Sequence, residues 1–363
     1  MNHNSHGRVT VETIAGSNFR LEFRILMTMI GPGRMNETIH AMQFGTKEVE
    51  CPQVANPYLF IVGCPRSGTT LLQRMINAHT QITVTPESHW IPRLIEKPWA
   101  ATAEGTVTRK LIRRLIMHPK FARLRISREQ VRKLAPKGQA VSYPGLVTRI
   151  LDLYANAQGK PLVADKTPDY VRSIGLLHTL WPAARFVHLI RDGRDVCLSM
   201  LEWPKVHPRP GNFVTWKQDP VSTAAWWWQL NVQRGRQAGK SLGSKLYYEL
   251  RYESLVTCPR EQCEALLDFL NLPFDEAVLQ FHAELLDADP GLEKKRAGLP
   301  VTSGLRNWQY EMPAQDVERF EAVAGELLDE LHYPRAVPQP RMAALEHASR
   351  IRDLLKMDPR TQN

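Results

Sequence analysis

A chain of 363 residues, 43% hydrophobic and 23% charged, has the composition of a soluble globular protein with a sizeable core. Its formal net charge of +10 admits anionic small molecules, membranes, acidic peptides and nucleic acid as partners, with ordinary surface lysine and arginine as the bland source of the excess. No run of five or six basic residues occurs, the nearest cluster being Glu293-Lys294-Lys295-Arg296, which argues against nucleic acid, and no apolar run approaches the ~20 residues of a membrane span.

The first 50 or so residues carry little pattern and read as an N-terminal extension over 1–56. It is either a flexible arm or a stretch ahead of an internal start such as Met35. Ile25 to Ile30 is apolar but short, and lies too far in for a signal peptide. Pro57 to Val62, short, apolar and bounded by Pro and Gly, predicts a buried strand. Leu71, Leu72, Met75 and Ile76 then share one face of a helix. Residues 88–155 read as mostly helical, with basic faces such as Arg109-Lys110-Leu111-Ile112-Arg113-Arg114. Leu162 to Ala164 is a short strand, and a helix follows Pro168 around Val171 to Leu180. Arg185 to Ile190 is a second strong strand, with a helix beginning after Asp192. Further on come a helix over Trp226 to Gln237, a strand over Leu246 to Leu250, and a helix over Glu261 to Leu270. Glu318 to Leu331 reads as the last helix. Strands alternating with helices predict an α/β fold, a P-loop-like parallel sheet flanked by helices. With no repeat and no clear linker, one domain over 57–335 followed by a C-terminal tail over 336–363 is the simplest division.

The five cysteines, Cys51, Cys64, Cys197, Cys258 and Cys263, are odd in number and irregularly spaced. They form no C-x-x-C pair and no Cys/His metal pattern. A disulfide framework and structural zinc are therefore not expected, and a reducing, cytoplasmic setting is.

The strand at residues 57–62 runs into Gly63-Cys64-Pro65-Arg66-Ser67-Gly68-Thr69-Thr70 and then a helix. This has the outline of a phosphate-binding loop, but Thr69 stands where a nucleotide-triphosphate P-loop has its lysine. Gly63 and Gly68 permit a tight turn. Backbone N–H groups at the helix start face an anion, the hydroxyls of Thr69 and Thr70 add donors, and the Arg66 fork replaces the missing lysine charge. The bland alternative is a Gly-rich turn with an exposed arginine. A second strand, residues 185–190, also ends in a polar turn, with Arg191 at the strand end, Arg194 as a further candidate, and Ser199 about two helical turns on. Ligands of open α/β sheets bind at the carboxyl ends of strands, which places Arg66 and Arg191 beside one cleft.

Pro-Arg-Ser-Gly-Thr-Thr after a strand resembles the 5′-phosphosulfate loop of the sulfotransferases that use 3′-phosphoadenosine 5′-phosphosulfate (PAPS), and Arg191 with Ser199 resembles their 3′-phosphate motif. The likeness is closest to the tyrosylprotein sulfotransferases and their bacterial relatives. It extends through Glu87 to Arg93, Asp165 to Pro168 and Tyr252 to Leu255, covering roughly residues 57–275. The resemblance implies the sulfotransferase fold and PAPS as cofactor. Arg66, Ser67, Gly68, Thr69 and Thr70 would hold the phosphosulfate, and Arg191 and Ser199 the 3′-phosphate. Tyr252 matches an adenine-contacting tyrosine, although a core tyrosine reads almost equally well. Arg306 in Val301 to Trp308 resembles a closing loop with shifted spacing, and Lys294 to Arg296 is the alternative.

The chemistry implied is removal of a proton from an acceptor hydroxyl as it attacks sulfur. Glu87 matches the family's general base, with an N-cap or surface carboxylate as the bland reading, and its pKa is expected to be raised by burial. Lys166, with Arg66 beside it, matches the cation that stabilises the leaving phosphate, and no metal is implied. The acceptor is a tyrosine-like phenol, a glycan, a lipid or a small molecule. Arg109 to Tyr143 and Glu202 to Gln218 are the candidate specificity regions. His89 is a candidate for the acceptor side, and His188, mid-strand, reads as a core histidine. Trp226, Trp227 and Trp228 cannot all face one way on a helix, so one or two should pack inward. The sequence leaves a homodimer open. Two other classes remain: a P-loop nucleotide kinase, for which Asp165 is the one candidate magnesium ligand, and a non-catalytic nucleotide-binding module.

Overall fold

The computed structural model describes residues 56–202, 213–281 and 307–358. The expected N-terminal extension and the closing-loop candidates Arg306 and Lys294 to Arg296 lie outside the described residues.

Five parallel strands form one sheet: β1 (Leu59–Gly63), β2 (Ile82–Thr85), β3 (Leu162–Lys166), β4 (Arg185–Ile190) and β5 (Tyr247–Arg251), in the order β2-β3-β1-β4-β5. The register sets Ile61 beside Lys166 and Gly63 beside Leu189. Phe60 and Val62 pack into one apolar cluster and Leu59 and Ile61 into another. Because both faces of β1 are covered, it is apolar throughout rather than alternating.

The helices take their places from this sheet. Helix α1 (Thr69–Ala78) buries Leu72, Met75 and Ile76 against the Leu59/Ile61 face. Between β2 and β3 come α2 (Ile91–Ile95), α3 (Arg109–Ile116), α4 (Arg128–Leu134) and α5 (Tyr143–Ala157), packed on the opposite face. A 3₁₀ turn, Pro168–Ser173, leads into α6 (Ile174–Leu180) where a single helix was expected from the sequence. Helices α7 (Gly193–Leu201), α8 (Pro220–Leu242), α12 (Ala314–Glu330) and α13 (Met342–Lys356) share a third cluster beyond β4. Helices α9 (Tyr252–Thr257) and α10 (Pro259–Phe269) follow β5, and α11 (Trp308–Glu311) precedes α12.

Four elements were not anticipated: β2, the short helices α9 and α11, and α13. Strand β2 has only four residues, too few for its pattern to stand out. Residues 336–363, read as a tail, contain α13, whose Ala348, Ile351 and Leu355 are buried against α8 and α12. It has only three buried positions, and no cap motif marks its start.

The topology creates a switch point. From β1 the chain moves to β2 on one side, and from β4 to β5 on the other, while β1 and β4 are neighbours. The loops leaving β1 and β4 therefore diverge above the sheet and open a crevice between them. No helix among the described residues is long and apolar enough to cross a membrane.

Candidate active site

The loop after β1 spans 64–68 and is closed by Ser67 N–H donating to the Cys64 carbonyl over 3.1 Å. Arg66 lies in the left-handed backbone region at φ 79° and Gly68 at φ 94°. A Cβ on Gly68 would sit 2.4 Å from the Tyr252 ring, so only glycine fits between that ring and the loop. No side chain caps α1 and no acid occupies its first turn. Its first-turn N–H groups thus present the positive end of the helix dipole to the crevice. Ser67 is buried, and its Oγ has no hydrogen-bond partner among the described residues.

Across the switch point, Arg191 leaves the end of β4. Its guanidinium lies 4.3 Å from the centre of the Tyr252 ring and its Nη2 donates to Asp195 Oδ2 over 3.1 Å. Trp228 Nε1–H donates to the Arg191 carbonyl, which fixes the turn. The buried Nε of Arg191 has no partner among the described residues. Arg66 Nε donates to Ser199 Oγ over 2.9 Å, so a side chain of the β1 loop reaches the helix that follows β4. These contacts bring Arg66, Gly68, Arg191, Ser199 and Tyr252 together, with Ser67, Thr69 and Thr70 in the same loop and helix start.

Lys166 is the last residue of β3, buried, with Nζ 2.7 Å from Glu87 Oε1 and 3.4 Å from Thr70 Oγ1. Glu87 precedes α2 in a segment clamped from three sides. Ser88 N–H donates to Thr167 Oγ1, Ile91 N–H donates to the Tyr170 hydroxyl, and Tyr143 Oη–H donates to the Ile91 carbonyl. Asp165 accepts from Thr85 Oγ1 and Thr167 Oγ1 and is fully buried, and burial pushes its carboxyl above the usual range despite those bonds. Its carboxylate serves this clamp, which leaves a kinase reading without the one aspartate that supported it.

The second oxygen of Glu87, Oε2, accepts from His89 Nε2 over 2.9 Å, and His89 Nδ1 lies 3.7 Å from Asp169 Oδ2. His89 is held at φ 54°, a left-handed conformation uncommon for a residue other than glycine. Burial alone would raise the Glu87 pKa, but the hydrogen bond from His89 and the charge and hydrogen bond of Lys166 outweigh it and hold the carboxyl well below the usual carboxylate range. The expectation of a raised Glu87 pKa is therefore corrected: the cation and histidine beside it decide, not its burial.

Arg194, a further candidate from sequence, is structural. It is fully buried, paired with Asp192 and Glu321 at 2.7 Å each, with Trp308 stacked 3.6 Å away. His188 is a core histidine as expected, hydrogen-bonded through Nδ1 to the Tyr247 hydroxyl. Trp226 and Trp228 are buried, whereas Trp227 stays partly exposed beneath the Arg172 guanidinium at 4.6 Å. Arg172 lies within ion-pair reach of Asp169, which joins this aromatic and cationic side to Glu87 through His89.

Three supporting residues escaped sequence reasoning. Asp195 orients Arg191 and accepts the Trp308 N–H, and its place four residues after Arg191 on a helix was a usable signal. Glu253 accepts from the Asp192 N–H and the Tyr333 hydroxyl, tying the β4 turn to the start of α9. Asp169 backs His89 from a 3₁₀ turn whose direction no sequence pattern announces.

Comparison with known proteins bears on the same residues. A family model described as "Sulfotransferase family" matches residues 57–276, which includes every loop just described up to Tyr252. The chain is similar to protein-tyrosine sulfotransferase A of Caenorhabditis elegans, 26% identical over 299 residues, 78% of this chain and 69% of that protein. It is also similar to protein-tyrosine sulfotransferase 1 of Danio rerio, 25% identical over 342 residues, 86% of this chain and 85% of that one. Among solved structures, a sulfotransferase domain from the curacin biosynthetic pathway aligns with a TM-score of 0.48 at 20% identity, over 76% of this chain and 98% of that domain.

Proposed function

This chain belongs to the sulfotransferase family, and from that premise we propose that it moves the sulfuryl group of PAPS to an acceptor hydroxyl, with Glu87 as general base. The observation that carries the proposal is the convergence, on a single switch-point crevice, of an anion cradle, a second basic pocket and a Lys166–Glu87 pair. PAPS supplies, when bound, a sulfuryl group activated by a phosphate leaving group.

The fit of the crevice to that molecule rests on its orphaned polar groups. Ser67 Oγ and Arg191 Nε are buried without partners among the described residues, one on each side of the switch point. Such groups are costly unless a ligand satisfies them. The α1 N-terminus with Ser67, Thr69, Thr70 and Arg66 would hold the phosphosulfate end. Arg191 and Ser199 would hold the 3′-phosphate, and the Tyr252 ring would lie against the adenine.

Lys166 has one ammonium to share. Turned from Glu87 toward an oxyanion, it ceases to depress the Glu87 pKa, so that burial is opposed only by the hydrogen bond and charge of His89. The base thus gains strength in the state where it is needed. Glu87 takes the acceptor proton on Oε1, the oxygen that Lys166 vacates, and gives it to solvent after product leaves, while the His89 N–H holds Oε2 in place. Asp169 steadies the other ring nitrogen. Trp227 beneath Arg172 offers an aromatic wall on this side, which supports a phenolic acceptor such as tyrosine, the group in the names of the relatives.

The test is release of adenosine 3′,5′-bisphosphate from PAPS in the presence of phenols or tyrosine peptides, compared with alkyl alcohols. Turnover with phenols is expected, and Glu87→Gln should lower kcat by ~10²–10⁴-fold while leaving nucleotide binding intact. Full activity in that variant would remove Glu87 from the role.

A further inference from the structure

The positive charge of the chain is concentrated outside the crevice. Between Arg109 and Lys137 there are eleven lysines and arginines and one acid, Glu129, an excess equal to the net charge of the whole chain, +10. This stretch forms α3 and α4. Their inner residues, Leu111, Leu115 and Val131, are buried in the cluster on the Phe60 face of the sheet, which fixes the outer faces toward solvent.

Between those outer faces runs a groove of about 440 Å³. Arg109, Arg113, Arg128, Arg132 and Lys137 line it. The side chains of these five have no hydrogen bond or ion pair among the described residues. Glu129 does not line the groove and is paired instead with Lys133 at 2.8 Å. The apolar part of the lining is Ile112, Ile116 and Met117, the last 61% exposed. Five like charges around a partly apolar trough repel one another and gain nothing from water that an ordinary flat surface would not give them. Their arrangement is explained by an occupant that is both anionic and apolar.

We propose that this groove docks the chain on an anionic phospholipid surface, with phosphate oxygens held by the guanidinium forks and the acyl segments next to the headgroups against Met117 and the exposed edges of Ile112 and Ile116. Planar guanidinium groups suit phosphate oxyanions. A basic amphipathic helix with exposed apolar side chains has the character of an interfacial membrane element. An acidic protein would satisfy the charges but would leave the exposed Met117 without a reason, Ile112 and Ile116 being already packed against the core. The inference does not depend on sulfuryl transfer.

The experiment is cosedimentation of the full chain with phosphatidylcholine vesicles, alone or doped with phosphatidylglycerol. Binding is expected only with the doped vesicles and should weaken as salt is raised. The variant R113E/R132E should weaken it by more than about twentyfold, since each basic residue near an anionic surface contributes roughly a fivefold factor. Arg109→Gln with Lys137→Gln, at exposed positions on the same rim, is a second variant should the first fail to fold. Met117→Ser, which leaves the charge unchanged, should also weaken binding. Equal binding to both vesicle types, or undiminished binding by the charge variants, would overturn the proposal. So would release by soluble polyglutamate together with indifference to Met117→Ser, an outcome that assigns the groove to an acidic protein.

Discussion

The Glu87 carboxylate sits between two partners of different kinds, an ammonium at 2.7 Å and an imidazole at 2.9 Å. Both stabilise its ionised form, so its pKa lies below the usual range even though burial works the other way. This makes a prediction about pH. Asparagine tolerates the left-handed backbone at position 89 but is too short to take over the histidine's bond to Glu87. His89→Asn should therefore raise the Glu87 pKa and move the acid limb of the kcat/KM profile to higher pH, because the base must be deprotonated to act. A merely structural histidine would lower activity without moving that limb. At this scale the sequence was informative where chemistry requires particular residues. Arg66, Arg191 and Ser199 are recognisable from the strand-to-helix turns beside them, because such turns are short and their geometry is repeated, whereas Lys166 was indicated by the family resemblance. The sign of the Glu87 shift was not legible, since it depends on how near Lys166 and His89 come, and that is set by strands far apart in sequence.

Helix α7 shows how an element is locked so that Arg191 and Ser199 stay in place. Arg194, in its first turn, is fully buried and paired with Glu321 of α12 and with Asp192 at the cap of its own helix. Glu321 in turn accepts the backbone N–H groups of Ala336 and Val337. Removing the cation strands two buried carboxylates. Arg194→Ala is expected to cost about 3–5 kcal/mol in urea unfolding, a loss under 1 kcal/mol being inconsistent with this lock. From sequence Arg194 looked like a ligand residue, because a buried Arg–Glu pair and an exposed phosphate-binding arginine have the same local signature. What separated them was Glu321, 127 residues away. The strands β1, β3, β4 and β5 were readable within about two residues because apolar runs between breakers survive any tertiary context. The short β2 and the helix α13 were not, having too few buried positions to register.

The whole molecule is built around a parallel sheet with a switch point between β1 and β4, and its buried interior carries a pH liability. His188 is fully buried in β4, and burial, with Arg236 nearby, pushes its pKa down to about 3. Unfolding returns it to the ordinary value of 6.5, so the unfolded chain binds the extra proton between those two values. Stability from this group is present above pH 6.5 and is lost as the pH falls toward 3, by about 5 kcal/mol at most. His188→Asn should flatten the decline in urea stability between neutral pH and pH 4, whereas an unchanged slope would show that other groups govern it. Architecture and family were legible because two phosphate motifs at strand ends imply the sheet between them. The acceptor was not, since 203–212, within one candidate specificity region, lies outside the described residues and the other, around α3 and α4, presents a basic groove rather than a recognisable motif. The central claim, that the switch-point crevice holds a 3′-phosphorylated adenosine nucleotide, is tested most directly by thermal unfolding with adenosine 3′,5′-bisphosphate, 5′-AMP or ATP–Mg²⁺, for the native chain and Arg191→Ala. The account predicts selective stabilisation by the bisphosphate, about 2.7 kcal/mol at a hundredfold excess over Kd, lost in Arg191→Ala. Stabilisation by ATP–Mg²⁺ with none by the bisphosphate would contradict it.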